Sequence, residues 1–227
     1  MARRTRVRDA TMLETRQALI AAGMAAFGEG GLDAPSLDSI CERAGYTRGA
    51  FYVHFKDRDD FIVAVMDQLT EGFIGSILGG PVGGEGSPAD LAALVARFAQ
   101  AVSIGAYPLP GAVRLHHILD ACSRSDVVRA RRARLLRDSM DLVGEYARDS
   151  QRRGKLRADV DPGQLGALSI AIVLGIEVLT ELCVPFGATG AAGTVMDLLR
   201  PASAASPGPQ GEKPKPRRAT APRAKRS

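Results

Sequence analysis

Apolar residues recur at intervals of three and four along most of the chain, which predicts an all-helical protein. The best-defined short segment is 36–55. Ser36 can cap a first helix there, because its hydroxyl can accept a free backbone N–H, and Gly45 can end that helix in the left-handed conformation. The apolar face of this helix consists of Leu37, Ile40, Cys41 and Ala44.

A second short helix follows after a tight turn, with Thr47 as its cap. Phe51 and Phe55 are four residues apart and should both face inward. The opposite face is basic and aromatic, and it consists of Arg48, Gly49, Tyr52, Val53 and Lys56. A helix that buries one side and offers such a face to solvent suits the major groove of DNA. The alternative is an ordinary helical hairpin with a solvated basic face.

Helices are also predicted on both sides of this pair. Thr11 and Glu14 form a capping box that opens the first helix of the chain, so residues 1–10 should be a flexible basic arm. Asp57 and Asp60 should cap the fourth helix, 57–78, which leads from the pair into the rest of the protein.

Five further helices are predicted after a Gly/Pro break at 79–84 and before a tail from 201 onward that is too rich in Pro, Lys and Arg to form a core. They begin at Ser87–Asp90 with Pro88 first, at about Ala112, after Ser125, at Asp161–Gln164 and at about Ala191. The basic run 129–134 should be a solvated face.

The eighth helix is apolar on nearly all sides and must therefore be covered on more than one face. The natural cover is a second copy of the chain. The residues expected at this dimer interface are Ile172, Val173, Ile176 and Leu179.

The net charge of +5 is uneven, because residues 1–9 hold four Arg and one Asp, and residues 201–227 hold seven Lys or Arg and one Glu. Basic ends of this kind often contact nucleic acid. For the C-terminal tail, a merely solubilising role is equally compatible.

Other functional classes have little support. The three Cys have no metal-ligand spacing, so no metal or cofactor is expected, and no Ser/His/Asp set or phosphate loop indicates an enzyme. No uninterrupted apolar run of about 18 residues and no apolar leader behind Met1 are present, so a cytoplasmic protein without membrane spans is expected.

The run A-G-Y-T-R-G-A-F-Y-V-H-F-K-D at 44–57 resembles the helix-turn-helix signature of the TetR family of bacterial transcriptional regulators. This resemblance implies an all-α fold of about nine helices, with an N-terminal DNA-binding domain and a C-terminal ligand-binding and dimerisation domain. The expected divisions are a basic arm at 1–10, the helix-turn-helix domain at 11–56, an effector-binding and dimerisation domain at 79–200 and a disordered basic tail at 201–227.

The resemblance also implies DNA contacts. Phosphate contacts are expected from Ser36, Thr47, Tyr52 and Arg58. Base contacts are expected from Tyr46, Arg48 and Gly49, and Lys56 belongs to the same exposed face. His54 either touches phosphate or packs within the motif, and packing is favoured.

An effector cavity is the other implied site. Its candidate residues are Phe73, Phe98, Tyr107, His116, His117, Met140, Tyr146, Ile172 and Glu177, each of which could equally be plain core. The neighbouring histidines should point apart and make a poor metal pair. A compact hydrophobe with one basic or hydroxyl group is expected, with Glu177 facing a basic group.

The function predicted from the sequence is that of a homodimeric repressor, released from a near-palindromic double-stranded operator by a small molecule. The alternative is a ligand-independent or architectural DNA-binding protein.

Overall fold

The computed structural model describes residues 2–78, 86–107 and 113–201, with side chains from residue 10 onward. Within these ranges the chain forms nine helices and no strand, which confirms the all-α prediction. The helices are α1 (Ala2–Gly30), α2 (Leu37–Ala44), α3 (Arg48–His54), α4 (Arg58–Leu78), α5 (Leu91–Ser103), α6 (Leu115–Arg124), α7 (Asp126–Arg152), α8 (Pro162–Glu181) and α9 (Ala188–Leu198). The predicted break at 79–84 and the tail beyond residue 201 lie outside the described residues.

The start of α1 differs from the prediction. The helix begins at Ala2, so Thr11 lies inside it and accepts, through its backbone carbonyl, a 2.9 Å hydrogen bond from the Thr15 hydroxyl. No Gly or Pro interrupts the first ten residues, and Ala and Arg both favour helix. The capping-box pattern was therefore a coincidence within a longer helix, and residues 2–10 are not a separate arm.

Caps formed by short side chains define the helix-turn-helix segment as predicted. The Ser36 hydroxyl accepts a hydrogen bond from the Ser39 N–H at 3.1 Å, and the Thr47 hydroxyl accepts one from the Ala50 N–H at 3.2 Å. Gly45 ends α2 with φ of 76°, where a side chain would be strained. The Asp57 carboxylate caps α4 at the Asp60 N–H, 2.9 Å away. These local contacts set the angle at which α3 leaves α2.

Four phenylalanines form the centre of the N-terminal core. Phe27, Phe51, Phe55 and Phe61 are at most 2% exposed, and their rings pack edge-on or tilted at centroid distances of 4.9–5.8 Å. Gly23 on α1 makes room for this packing, because a Cβ there would lie 2.4 Å from Cζ of Phe61. This core holds α3 by one side and leaves its other side in solvent.

The C-terminal helices are built around the pairing of α7 with α8. A Cβ at Gly166 would lie 2.2 Å from the carbonyl oxygen of Met140, so the two backbones are in close contact. The predicted helix starts shift slightly here: the Asp90 carboxylate caps α5 at Ala93, leaving Pro88 outside the helix. Helix α6 begins at Leu115 and α9 at Ala188, three residues after and three before the predicted starts.

Helix α8 has one face in the protein and one in solvent. Ile176 is buried, which excludes it from the predicted dimer interface, and Val173 is half-buried against a cavity. The outward stripe follows heptad-like spacing and consists of Leu168, Ile172, Gly175 and Leu179, with Leu182 directly after the helix; all are exposed except for the half-buried Leu179. An apolar stripe of this length is unusual for a surface that stays in water.

Two helices, α4 and α8, are long and apolar enough to cross a membrane by length and composition, which the sequence prediction did not anticipate. The same criterion is met by core helices of proteins outside membranes. Helix α4 is such a core helix, because its Phe61 and Val65 pack in the phenylalanine core.

Candidate DNA interface and ligand cavity

The exposed face of α3 is the first candidate site. Tyr46, Arg48, Gly49, Tyr52 and Val53 are all exposed. A Cβ added at Gly49 would lie 3.6 Å from the Thr47 hydroxyl oxygen, which is ordinary contact distance, so the space over Gly49 is open to an approaching backbone. Ser36, Thr47 and Lys56 are exposed at the edges of the same segment. The structure therefore brings together most of the predicted DNA-contact residues on one surface.

Arg48 is held in place on this surface by two neighbours. Its Nε lies 3.4 Å from an Asp38 carboxylate oxygen, and a hydrogen bond with Tyr52 is the main reason that the pKa of its guanidinium is raised, followed by the charge of Asp38. All three groups are well exposed, so the pair with Asp38 contributes little to stability. The contacts orient the guanidinium beside Tyr52 while leaving its donors accessible.

Arg58 makes contacts within the protein that the sequence did not reveal. Its guanidinium donates to the carbonyl oxygens of Leu32 at 2.6 Å and Pro35 at 2.9 Å, and it lies over the Phe27 ring. These contacts tie the start of α4 to the connection between α1 and α2. The geometry therefore gives Arg58 a structural role, and its phosphate contact stays a prediction.

His54 packs within the motif, the alternative that the sequence favoured. Its side chain is half-buried, and its ring lies 6.3 Å from the Phe55 ring. Burial, and then the nearby Arg16, lower the pKa of His54. The imidazole is therefore mostly neutral at pH 7 and adds little charge to the surface.

A cavity of about 630 Å³ in the C-terminal part is the second candidate site. Helices α4 to α9 all contribute to its mainly apolar wall. Five of the predicted effector-binding residues line it, namely Phe73, Phe98, Tyr107, Ile172 and Glu177. Phe73, Phe98 and Tyr107 form an aromatic cluster with centroid distances of 4.7–6.2 Å.

The other four predicted residues lie elsewhere. Tyr146 is buried and hydrogen-bonds Ser87 at 2.8 Å, while Met140 packs at the crossing of α7 and α8. His116 pairs with Glu181, and His117 packs against Gly31, where a Cβ would lie 2.5 Å from the ring. The histidine rings lie 4.0 Å apart, so they do not point away from each other, because side chains at the start of α6 can converge.

The carboxylates of the cavity have partners within the protein. The Tyr107 hydroxyl donates to Glu177, and burial, reinforced by Glu177, raises the pKa of Tyr107 far above its usual range. Glu181 accepts hydrogen bonds from the Leu115 N–H and from His116 at 3.0 Å. Burial raises the pKa of Glu181, but these hydrogen bonds outweigh it and lower the pKa overall.

Side chains of α6 and α7 connect the cavity to the N-terminal domain, a role that the sequence did not reveal. Helix α6 lines the cavity with Leu115 and Ile118, and its His117 contacts Gly31. A second set of polar contacts joins the domains: Arg124 with Asp33, the Ser125 hydroxyl with Asp59 at 2.6 Å and Arg131 with Asp67 at 2.6 Å. The sequence indicated only the fourth helix as a connection between the two parts of the protein.

Comparison with known proteins identifies the N-terminal part. Residues 19–65, from the middle of α1 to the first turns of α4, match the family model described as "Bacterial regulatory proteins, tetR family". The N-terminal domain of this chain is therefore a TetR-type DNA-binding domain by similarity.

Two curated TetR-family relatives show how far the sequence similarity extends. The chain is 39% identical over 64 residues to the HTH-type transcriptional regulator AcrR of Shigella flexneri, and 41% identical over 58 residues to the HTH-type transcriptional regulator TtgR of Pseudomonas putida. These matches cover 28% and 26% of this chain, and 29% and 28% of the two relatives. Both relatives are transcriptional regulators, which agrees with the prediction that the protein is not an enzyme.

Solved structures extend the similarity in fold to most of the chain. The reduced form of NemR from E. coli has a TM-score of 0.67 at 16% identity, covering 84% of this chain and 99% of NemR. SmeT, the repressor of a multidrug efflux pump of Stenotrophomonas maltophilia, has a TM-score of 0.63 at 24% identity in its complex with triclosan, covering 89% of this chain and 99% of SmeT. At these identities the similarity concerns the fold alone.

Proposed function

We propose that this protein, with its TetR-type DNA-binding domain, is a sequence-specific DNA-binding transcriptional regulator. The observation that carries the proposal is the exposed face of α3, where Arg48, Gly49 and Tyr52 lie together on a helix whose other side is buried in the phenylalanine core. Arg can take O6 and N7 of a guanine together, and hydroxyl groups suit phosphates. The protein would act in the cytoplasm, where its operator is accessible.

The regulator would bind as a homodimer through α8 and α9. The outward stripe of α8, which begins at Leu168 and ends at Leu182, offers an apolar surface that a second copy of the same stripe would cover. Two copies would place two α3 helices in successive major grooves of a near-palindromic site.

A small molecule in the cavity would release the DNA, which makes repression the favoured mode of regulation. SmeT forms the complex with triclosan named above, and this chain has the same fold with a cavity of about 630 Å³. Helices α4 and α6 both line the cavity and both contact the α1–α3 unit, so a tilt of either would move α3. A ligand need only prefer the non-binding arrangement, by roughly 1–3 kcal/mol, to reduce operator affinity about 5- to 150-fold.

No resident cofactor or metal is part of the proposal. Among the residues that the structure describes, no group of three or more His, Cys, Asp or Glu side chains is arranged to hold a metal ion. Cys41 and Cys122 are buried, and burial is the main cause of their raised pKa values, which makes them poor thiolate nucleophiles.

Replacing Arg48 by alanine should weaken operator binding by about 5- to 100-fold and relax the preference at one base pair of each half-site, because a base-specific pair is removed. Affinities for the operator and for random duplex DNA, measured by fluorescence anisotropy, give both numbers. Arg134→Ala, which removes an exposed guanidinium on α7, is the matched control and should change neither. Unchanged affinity and selectivity in Arg48→Ala would refute the assigned recognition face.

The alternative is a ligand-independent or architectural DNA-binding protein, favoured by the basic residues at both ends of the chain. Binding of that kind follows charge, so its affinity falls steeply with salt on every sequence alike. Affinities for the operator and for random DNA, measured over a series of salt concentrations, separate the two possibilities. If the plots of log affinity against log salt concentration coincide for the two DNAs, the alternative is favoured. If the operator is bound more tightly by a constant factor at every salt concentration, the proposed regulator is favoured.

A further inference from the structure

Four charged residues line the cavity, and their partners differ. Glu177 accepts a hydrogen bond from Tyr107, and Glu181 accepts two, from Leu115 and His116. Arg114 is exposed at the start of α6. Arg132 is half-buried in α7 and, among the described residues, has no hydrogen-bond or ion-pair partner. The negative groups of the cavity are thus satisfied within the protein. Among the described residues neither arginine side chain has such a partner, and of the two only Arg132 is half-buried.

Arg132 lines the cavity on the side of the Tyr107 hydroxyl. Its charge acts on the buried hydroxyl of Tyr107, opposing the much larger effect of burial on the pKa of that group. The other arginines on this part of α7 face differently: Arg129 pairs with Asp126, and Arg131 with Asp67. The run 129–134 is therefore not one solvated face, as the sequence suggested.

A guanidinium on an apolar wall is poorly hydrated and gains most from a ligand that brings a carboxylate, because charge-assisted hydrogen bonds are strong in such surroundings. An amine is a less suitable head group for the ligand than a carboxylate. Its natural partner, Glu177, already accepts the Tyr107 hydroxyl, and the unpaired Arg132 would repel it. This reverses the expectation drawn from the sequence, which placed a basic group of the ligand against Glu177.

The other residues of the cavity wall indicate which apolar group the ligand should carry. Phe73, Phe98 and Tyr107 present ring edges and faces beside aliphatic side chains of α4, α5 and α8. Such a wall suits a short aryl or alkyl group.

We propose that the cavity binds an apolar carboxylic acid as its anion, with the guanidinium of Arg132 holding the carboxylate and the aromatic cluster holding the apolar body. The inference rests on the proposed function insofar as it takes the cavity to be the effector site. Its binding chemistry can be tested without DNA.

Three probes with one apolar body and different head groups test the proposal: 4-phenylbutanoate, 4-phenylbutanol and 4-phenylbutylamine, titrated calorimetrically into the full chain. The acid should bind at least about tenfold more tightly than the amine, with the alcohol between them. Arg132→Gln should weaken the acid by about 10- to 100-fold, the effect of losing a charge-assisted hydrogen bond, and change the alcohol by less than about twofold.

Arg134→Gln is the matched control, since Arg134 is exposed on the same helix and does not line the cavity, and it should leave all three affinities unchanged. Tightest binding by the amine would overturn the proposal, and so would equal affinities for all probes, an Arg132→Gln variant that binds the acid normally, or no binding of the acid at millimolar concentration. Circular dichroism of each variant shows whether the fold is kept.

The proposed function has a separate readout. If the acid binds through Arg132 but leaves DNA affinity unchanged, the assignment of the cavity as the effector site fails while the ligand class stands. If the protein binds a specific DNA site and the acid does not bind, the ligand class fails while the regulator stands.

Discussion

Replacing Phe51 by alanine should lower the free energy of unfolding by about 3–5 kcal/mol, the usual cost of removing a fully buried phenylalanine ring. The Phe51 ring is fully buried and packs against Phe55 and Phe61 at 5.2 Å each. Denaturant unfolding followed by circular dichroism measures the loss. DNA binding should disappear with it, because the core that holds α3 is no longer formed.

Val53→Ala is the matched control for this prediction, since Val53 lies on the same helix with 62% of its surface exposed. Its free energy of unfolding should stay within about 0.5 kcal/mol of the parent protein. If Phe51→Ala unfolds as the parent does, the buried side of α3 has been assigned incorrectly.

Replacing Leu168 by aspartate should weaken the affinity of the proposed dimer by at least about a hundredfold. The side chain is 57% exposed in a single chain and does not line the cavity, so the substitution leaves the protomer folded and puts an unpaired charge into the apolar contact with the second copy. Sedimentation velocity over a concentration series measures the effect, and operator affinity should fall in parallel.

Leu119→Asp tests whether any exposed leucine would do the same, because Leu119 on α6 is 58% exposed and is not part of the stripe. It should remain dimeric, whereas Leu182→Asp, at the far end of the stripe, should behave as Leu168→Asp does. A parent protein that sediments as a monomer while binding its operator at full affinity contradicts the proposed dimer.

The helix-turn-helix could be predicted from the sequence because its geometry depends on near neighbours. Ser36, Gly45 and Thr47 act on backbone groups at most four residues away, and the i, i+4 pair of Phe51 and Phe55 fixes which side is buried. The start of α1 was missed for a related reason: the T-x-x-E pattern at Thr11 is the same at a helix start and within a helix.

The cavity was only partly predictable, because its members depend on how distant helices are rotated against one another. Tyr146 and Arg132 lie two heptads apart on nearly the same face of α7, so periodicity alone does not show which of them reaches the cavity. Their position along the helix decides it: Arg132 lines the cavity, while Tyr146 is buried further along α7 and hydrogen-bonds Ser87. The structural contacts of Arg58 were missed for a similar reason, since its partners Leu32 and Pro35 lie more than twenty residues away in the chain.

The most direct test of the proposed regulator is selection of bound duplexes from a random DNA pool by the purified full-length protein. The proposal predicts enrichment of a near-palindromic site with two half-sites about one helical turn apart, contacted through the major groove. It also predicts that Arg48→Ala selects a site with one position relaxed in each half. Recovery of DNA without any enriched sequence, bound with an affinity that depends on salt alone, would contradict it.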